Sequence, residues 1–533
     1  MNTNNMTAAL KNLGCKVNEY ETKAMEKRLS EAGFTIVPFS DKADVYVINT
    51  CTVTAVADQK SRQMLRRAKR ENPDAVIVCA GCFAETFLAE NDEEKLKEET
   101  GADLIILNDE KGKIDEKVIS FLESRKQISN TDEAVQDSKD LNEGEAAFDG
   151  KNADNISSVE NNEMDIRHRD TAATFEELGF SEPSDRTRSF LKIQDGCDHF
   201  CSYCLIPFAR GKSRSRSMEA SVKEAEHLAE EGFSEIVITG VDVAAYGRDS
   251  DQDNQEKIRI NYFSEKKKIS KTDQQLLSTG STLTEDKQDN TNYYLLLLVL
   301  RISLIQGIRR IRFGSLDPDL ITEDFVKELS EIPKICPHFH LSLQSGSDAV
   351  LKRMNRHYTK EDYRKAVELL RKYFDDPAIT TDIISGFQGE TDSEFEETCD
   401  FVKKINFYEV HNFPYSIRKG TRAESLPGRV KNVIKENRVN KLIDISKKQA
   451  VEYRRRHIGK EVSVLFESDF HRIADADKED FIDATGFYVT GLSEEYIRCA
   501  VKVKNEEEAD ALKHTIREGR IIGFLTDEIM EIV

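Results

Sequence analysis

Along residues 1–126, apolar runs at 8–13, 45–49, 75–79 and 104–107 alternate with stretches of helical spacing, notably 19–31 and 56–71. Short apolar runs bounded by polar residues read as strands. Strand and helix in alternation predict a small parallel sheet covered by helices on both faces. Asn72-Pro73 stops the second helix where the next strand has to start. Residues 127–185 lose apolar periodicity and are rich in Asp, Glu, Asn and Ser, the composition of a disordered or loosely folded linker. A second polar insertion, about 249–290, has the same character.

From 186 to 457, short apolar runs recur at 190–194, 235–241, 311–316, 338–344, 379–385 and 409–415, with helical patterns such as 361–374 and 393–404 between them. Six βα units predict an incomplete TIM-type barrel, whose chemistry lies at the C-terminal strand ends. From 458 to 533 the runs VSVLF, FYVTGL, IRCAVKV and RIIGFLT have no long helix between most of them, which predicts a small closed β-barrel. The expected fold class is α/β, with folded units at 1–126, 186–457 and 458–533 and the acidic linker at 127–185.

The 533 residues suffice for each unit to have its own core. A net charge of −21 speaks against a nucleic-acid partner until its distribution is read. Residues 127–185 hold 16 acidic and 4 basic side chains, so −12 of that charge sits in the linker. Elsewhere there are basic runs: Arg66-Arg67-Ala68-Lys69-Arg70, RGKSRSR from Arg210 to Arg216, and Arg454-Arg455-Arg456. Such runs are commonly solvated helix faces, though any of them could follow an RNA backbone. The longest apolar stretch, 293–300, is too short to span a bilayer and reads as a buried strand or helix. No signal-peptide pattern opens the chain, and its ten cysteines point to a reducing compartment where thiols serve metals. The cytoplasm is the expected location, with no membrane partner.

The cysteines carry the chemistry. In FLKIQDGCDHFCSYCLIPFARG, Cys197, Cys201 and Cys204 stand at C-x₃-C-x₂-C spacing on a loop after the first strand of the barrel pattern. Three thiolates can hold three irons of a [4Fe–4S] cube, whereas such clusters are normally closed by four. The fourth iron is then open to a substrate or cosubstrate. A zinc site short of one ligand, or three unrelated buried cysteines, would also suit the spacing. Cys15, Cys51 and Cys82 form a second group, each just after a predicted strand, at the edge where an open α/β sheet gathers ligands. They could converge on a second three-thiolate cluster. They could equally be packing residues, because free cysteine is commonly a buried hydrophobe.

The first spacing, with Tyr203 between its last two cysteines, resembles the radical S-adenosylmethionine (SAM) signature. In that superfamily SAM chelates the open iron, and an electron from the cluster cleaves it to a 5′-deoxyadenosyl radical. Around the second group, GCKVN-x-Y, NTCTVT and GC-x-A-E resemble the methylthiotransferase family. That resemblance covers nearly the whole chain apart from the polar insertions, and implies a cluster domain, a radical SAM core and a C-terminal TRAM domain. NTCTVT-x-x-A-D-x-K-S-R with Ala57, Asp58, Lys60, Ser61 and Arg62, DGC-x-x-F-C-x-Y-C, ARG-x-SRSR and HLSLQSGSD-x-VLKRMNR-x-Y at 340–358 are similar to one branch of it. That branch acts on N6-threonylcarbamoyladenosine (t6A) in tRNA.

The resemblance implies two [4Fe–4S] clusters, an auxiliary one on Cys15, Cys51 and Cys82 and a SAM cluster on Cys197, Cys201 and Cys204. Cys79 should turn into the core. Cys336, Cys399 and Cys499 read as packing residues, and the histidines, His338 and His340 included, as structural. Expected SAM contacts are Tyr203, Gly240, Asp242, Gln344, Ser345 and Ser385, with Arg356 facing either SAM or RNA. SGFQGE at 385–390 stands where the family usually has Gly-Phe-Pro-Gly-Glu, so with Gln388 in place of proline a looser loop is expected. The adenine C2–H is unactivated, and functionalising it needs cofactor chemistry. The resemblance implies two uses of SAM, one to methylate a sulfur on the auxiliary cluster and one to activate C2 of t6A at position 37. A largely unpaired anticodon-loop base is presented at lower cost than one flipped from a duplex. The implied partners are tRNA, a low-potential electron donor and a sulfur donor. Arg210 or Arg214 is expected to pair with the t6A carboxylate, while the TRAM-like barrel and the basic runs grip phosphates. Two rivals stand: a methylthiotransferase for isopentenyladenosine tRNA or a ribosomal protein, and a non-catalytic RNA-binding protein that uses metal only to fold.

Overall fold

The computed structural model of the protein describes residue 3 and residues 6–136, 174–179, 187–249, 252–272, 291–472 and 487–533. Most of the expected linker at 127–185 and part of the insertion at 249–290 lie outside the described residues. The chain opens with β1 (Thr7–Asn12), α1 (Lys16–Glu31), β2 (Thr35–Ile36), β3 (Val45–Thr50), α2 (Ala55–Glu71), β4 (Val76–Gly81), α3 (Cys82–Leu88), α4 (Glu93–Thr100), β5 (Leu104–Ile106) and α5 (Ile114–Gln136). The strands are parallel in the order β2-β1-β3-β4-β5. Strand periodicity sends Val45 and Val47 to one face, against Met25, Leu29 and Val118, and Tyr46 and Ile48 to the other, against Leu65 and Phe83. Asn12 pairs with Asn49 and Thr50 with Gly81, so β1, β3 and β4 end at one edge.

The second unit runs β6 (Arg188–Lys192), β7 (Gln194–Asp195), α6 (Ile206–Arg210), β8 (Arg214–Ser215), α7 (Met218–Glu230), β9 (Glu235–Thr239), α8 (Gln252–Thr272), α9 (Tyr293–Ser303), β10 (Arg310–Phe313) and β11 (Ser315–Leu316). It continues through α10 (Glu323–Ser330), β12 (His338–Leu341), α11 (Asp348–Arg353), α12 (Lys360–Tyr373), β13 (Ala378–Ser385), α13 (Asp392–Ile405), β14 (Glu409–Pro414) and α14 (Asn432–Arg455). Parallel pairing gives β6-β9-β10 and β11-β12-β13-β14, with β10 and β11 meeting at Gly314. Strand order therefore follows chain order around an open barrel. One apolar core joins the strands to α7, α9, α10, α12 and α13. The stretch at 293–300 lies in a helix and is buried from Leu295 onward, and no described helix is long and apolar enough to cross a membrane.

Two features differ from the sequence reading. The polar insertion begins with α8, whose Tyr262 is buried and donates to Glu328 Oε2 at 3.0 Å. Arg301 of α9 ties this helix down through Glu265 at 2.7 Å. A narrow buried stripe in a charged helix is enough to dock it, and composition conceals so narrow a stripe. Helix α14 is likewise absent from the apolar pattern of the sequence. Its polar sequence hides Leu442, Ala450 and Tyr453, which are buried against the strands and the last unit.

The final unit comprises β15 (Glu461–Arg472), β16 (Phe487–Ser493), β17 (Arg498–Val503), α15 (Glu506–Asp510), β18 (Ile516–Phe524) and β19 (Met530–Ile532), closed in the order β15-β16-β17-β19-β18. The expected α/β class with parallel sheets and a terminal β-barrel is borne out. Arg312 fastens this barrel, donating to Ser493 O at 3.1 Å and Glu494 O at 2.9 Å while bonding buried Glu235 at 2.8 Å. Tyr496 stacks on His338, with ring centroids 4.2 Å apart. Glu235 and His338 open β9 and β12, so the barrel sits toward the N-terminal strand ends and leaves the opposite edge to the cysteines.

Candidate functional site

Cys15 precedes α1, Cys51 follows β3 and Cys82 follows β4, so three neighbouring strands deliver three thiols to one edge. Burial, then the charges of Cys82 and Cys15, push the Cys51 thiol up to about 11 against a backbone hydrogen bond that lowers it. An amide ladder shapes this edge. Asn18 Nδ2 donates to Asn49 Oδ1 at 3.2 Å and Thr50 O at 3.0 Å, and Asn49 Nδ2 donates to Asn18 O at 2.9 Å and Thr22 Oγ1 at 3.0 Å. Cys15 Sγ donates to Asn18 Oδ1 at 3.3 Å, and Asn108 Nδ2 lies 3.7 Å from Cys82 Sγ. Cys79 points instead into the apolar cluster under α2, where burial pushes its thiol up to about 12.

Cys197, Cys201 and Cys204 occupy the loop between β7 and α6. Cys197 N donates to Gly211 O at 3.1 Å, and Ser202 is held by Met354 O and Arg353 O at 2.9 and 2.8 Å. Arg356 donates to Cys201 Sγ at 3.2 Å, Asp317 Oδ2 at 2.7 Å and the Tyr358 hydroxyl at 3.0 Å. The two cysteine groups share a wall. Helix α3, which Cys82 begins, packs on α6, Asn108 Nδ2 donates to Ala209 O at 2.8 Å, and the charge of Cys82 reaches Cys204. Among the described residues the other cysteines, Cys79, Cys336, Cys399 and Cys499, are all buried in packing. Neither group has a fourth thiolate, which fits a cube with one open iron.

Behind the wall lies a buried ionic network. Glu21 Oε1 accepts from Lys192 Nζ and Arg210 Nη1, both at 2.8 Å, and Glu21 Oε2 accepts from Arg210 Nη2 at 3.0 Å and from Lys111 Nζ. Asp195 accepts from Lys192 at 2.7 Å and Arg210 at 3.0 Å, with Arg214 at 3.4 Å. Burial pushes the Glu21 carboxyl up, but Arg210, Lys111 and Lys192 more than reverse this and hold it well below its ordinary range. Four cations thus face two carboxylates. Glu176 stands nearby, accepting from Gly112 N at 2.8 Å and feeling Lys192 and Lys111. With all three acids ionised, these seven side chains by themselves sum to one positive charge. A buried excess cation is costly unless an anion compensates it, and three thiolates on an iron cluster are such an anion.

The structure alters several expectations. Arg210 is 1% exposed and bound to Glu21 and Asp195, so it cannot meet a substrate carboxylate. Arg214 donates to Arg210 O at 2.6 Å and leans on Asp195, and Arg216 is buried against Glu177 and Glu224. In the other basic runs, Lys69 pairs with Asp103, Arg67 with Glu71, Arg454 with Glu409 and Arg456 with Asp376. Internal pairing therefore consumes much of what read as RNA-facing charge.

Around the expected SAM position, Tyr203 packs edge-on against Phe387, with ring centroids 6.2 Å apart. Gly240 accommodates Gln194, whose side chain would lie 3.0 Å from an added Cβ. Asp242 bonds His199 at 2.9 Å, and Gln344 holds φ +68° at the end of β12. Ser345 meets Thr398 at 3.3 Å, while Ser385 Oγ is buried with no hydrogen-bond partner among the described residues. The Gln388 loop is held rather than loose. Gly386 N donates to Glu390 Oε2 at 2.6 Å, Gly389 N to Gly428 O at 2.8 Å, and Arg438 clamps Glu390 at 2.6 Å. His338 and His340 share Thr380 Oγ1, at 3.1 and 3.0 Å, and His340, Asp382 and His411 bring ligand atoms within 4.8 Å of one another. Asn18 lies inside the GCKVN motif, which by itself assigns it no role, and Glu21, Lys111 and Asn108 are isolated polar residues that carry no spacing signal.

The Radical SAM superfamily matches residues 191–402, and the Uncharacterized protein family UPF0004 matches residues 7–108. The chain is similar to the threonylcarbamoyladenosine tRNA methylthiotransferase MtaB of Bacillus subtilis, at 34% identity over 98% of both proteins. The protein of the same name in Aquifex aeolicus is 33% identical over 86% of this chain and 92% of its own. The tRNA-2-methylthio-N(6)-dimethylallyladenosine synthase of Acetivibrio thermocellus is 29% identical over 86% and 80%. Among solved structures, the radical SAM methyltransferase TsrM of Kitasatospora setae matches with a TM-score of 0.47 and 15% identity, over 79% of this chain and 77% of that one.

Proposed function

The chain belongs to the radical SAM methylthiotransferase family, and from that membership we propose that it installs a methylthio group at C2 of t6A at position 37 of tRNA. The observation that carries this reading is the pair of three-cysteine groups set back to back across α3 and α6, neither with a fourth thiolate. Cys15, Cys51 and Cys82 would hold the auxiliary [4Fe–4S] cluster, and Cys197, Cys201 and Cys204 the SAM cluster. When bound, the clusters and two SAM molecules supply the radical and the methyl chemistry.

The protein's own groups position and shield. Arg356 orients Cys201 and neutralises charge on its sulfur, as outer-shell donors do at metal sites. The free hydroxyl of Ser385 offers a hydrogen bond to SAM at the end of β13. With Arg210 sequestered, the cation we assign to the t6A carboxylate is Lys16, which directly follows Cys15. Part of the side chain reaches the surface, while burial of its amino group and the charges of Arg188 and Arg312 lower its pKa against the opposing charge of Asp382. A low-potential electron donor and a sulfur donor complete the cycle.

The test is anaerobic reconstitution followed by incubation with SAM, dithionite and tRNA bearing either t6A or isopentenyladenosine, read by nucleoside mass spectrometry. Formation of 2-methylthio-t6A, lost in Cys51→Ala and in Cys197→Ala, is the expected result. Methylthiolation of the isopentenyl substrate alone would overturn the substrate assignment and leave the family chemistry standing.

A further inference from the structure

Asn18 Oδ1 is shared by Arg210 Nη2 at 3.2 Å and Cys15 Sγ at 3.3 Å. Arg210 also follows Ala209, whose carbonyl accepts from the amide of Asn108 at 2.8 Å, and that same nitrogen is 3.7 Å from Cys82 Sγ. The guanidinium is therefore one amide away from Cys15, and its charge also reaches Cys82. Lys111 lies three residues beyond Asn108, fully buried, and shares Glu21 Oε2 with Arg210. Toward the other cysteine group the arrangement is reversed. Asp195 stands between Arg210 and that loop, and its Oδ1 accepts from Gly196 N at 2.8 Å, one residue before Cys197.

We propose that this network keeps its surplus positive charge for the auxiliary cluster, and that Arg210 and Lys111 make that cluster easier to reduce while Asp195 shields the SAM cluster from the same field. The inference rests on the reading that Cys15, Cys51 and Cys82 ligate the auxiliary cluster. A thiolate-bound cube is already an anion, and one added electron increases its negative charge. A buried, fixed cation stabilises the reduced form more than the oxidised one, and net charge and hydrogen bonds to sulfur are among the terms that set such potentials. Glu21, Lys111, Lys192, Asp195 and Arg210 are buried, so their field is weakly screened.

The test uses the full chain with both clusters reconstituted, and follows each cluster's midpoint potential by EPR-monitored titration. Variants lacking one cysteine group assign the two signals. Lys111→Met removes one positive charge, Glu21→Gln removes one negative charge, and the double variant Glu21→Gln/Lys111→Met leaves the surplus unchanged. The auxiliary midpoint is expected to move more negative in Lys111→Met, more positive in Glu21→Gln, and back to the wild-type value in the double variant. The SAM-cluster midpoint should move less in every case. Any two of these four proteins that differ in the net charge of the network and load both clusters decide the matter. An auxiliary midpoint that ignores the sign of the charge change, or shifts equally at both clusters, overturns the proposal. A wild-type chain that binds one cluster's worth of iron and shows one EPR signal refutes the ligand assignment instead.

Discussion

Gly81 ends β4 just before the helix that Cys82 begins, and replacing it with alanine should damage the auxiliary site. Its φ of +95° and ψ of −164° lie in a region open essentially to glycine, at a cost of about 1–3 kcal/mol for another residue. An added Cβ would lie 2.5 Å from Asn49 Oδ1 and 2.7 Å from Thr50 O. Neither atom can easily give way. The Asn49 amide is fixed by Asn18 O and Thr22 Oγ1, and Thr50 O accepts from Asn18 Nδ2. Overpacking of this kind adds about 1–3 kcal/mol. The combined loss of about 2–6 kcal/mol is a large share of the roughly 5–15 kcal/mol that stabilises a typical domain. At a urea dependence of about 2 kcal/mol/M, the unfolding midpoint seen by circular dichroism should fall by about 1–3 M. Bound iron should drop from about eight to about four atoms per chain, with the SAM cluster retained. A Gly81→Ala protein with the wild-type midpoint and full iron would refute the reasoning.

Arg312→Met leaves Glu235 buried without its main partner and removes two donors to the terminal barrel. Breaking such a pair costs about 3–5 kcal/mol, and limited proteolysis should release the barrel first; uniform resistance would count against this docking role. Arg356→Leu should lower 5′-deoxyadenosine formation by about 10–100-fold, as loss of an outer-shell partner commonly does, with iron content preserved. Equal loss of iron would mean the residue only holds the fold. Glu21 carries a carboxyl held well below its ordinary range by Arg210, Lys111 and Lys192 against the opposing effect of burial. Its contribution to stability is therefore complete above the unfolded carboxyl's pKa of about 4.3 and is lost as pH falls through the lower folded value. Acid unfolding should steepen below about pH 4, and Glu21→Gln should flatten that dependence.

The chemistry of the chain was legible because it is written in local spacing. Cys197, Cys201 and Cys204 lie within one loop, and Cys15, Cys51 and Cys82 each close a strand whose apolar run marks its end. Parallel strands in register carry residues at their ends to one edge, so convergence of the second group follows once the strands are recognised. Helices α8 and α14 escaped notice because each docks through a narrow stripe within a charged sequence.

By itself, then, the sequence determined the α/β order, the closing barrel and the two sets of thiols, since periodicity and spacing act over a few residues. Tertiary structure alone decided which charges are free. Arg210 looked available in its basic run, yet its partner Glu21 lies 189 positions away in sequence and 2.8 Å away in space. Whether a cation binds a substrate, a cluster or its own protein depends on through-space distance and burial, and neither is encoded by neighbours along the chain.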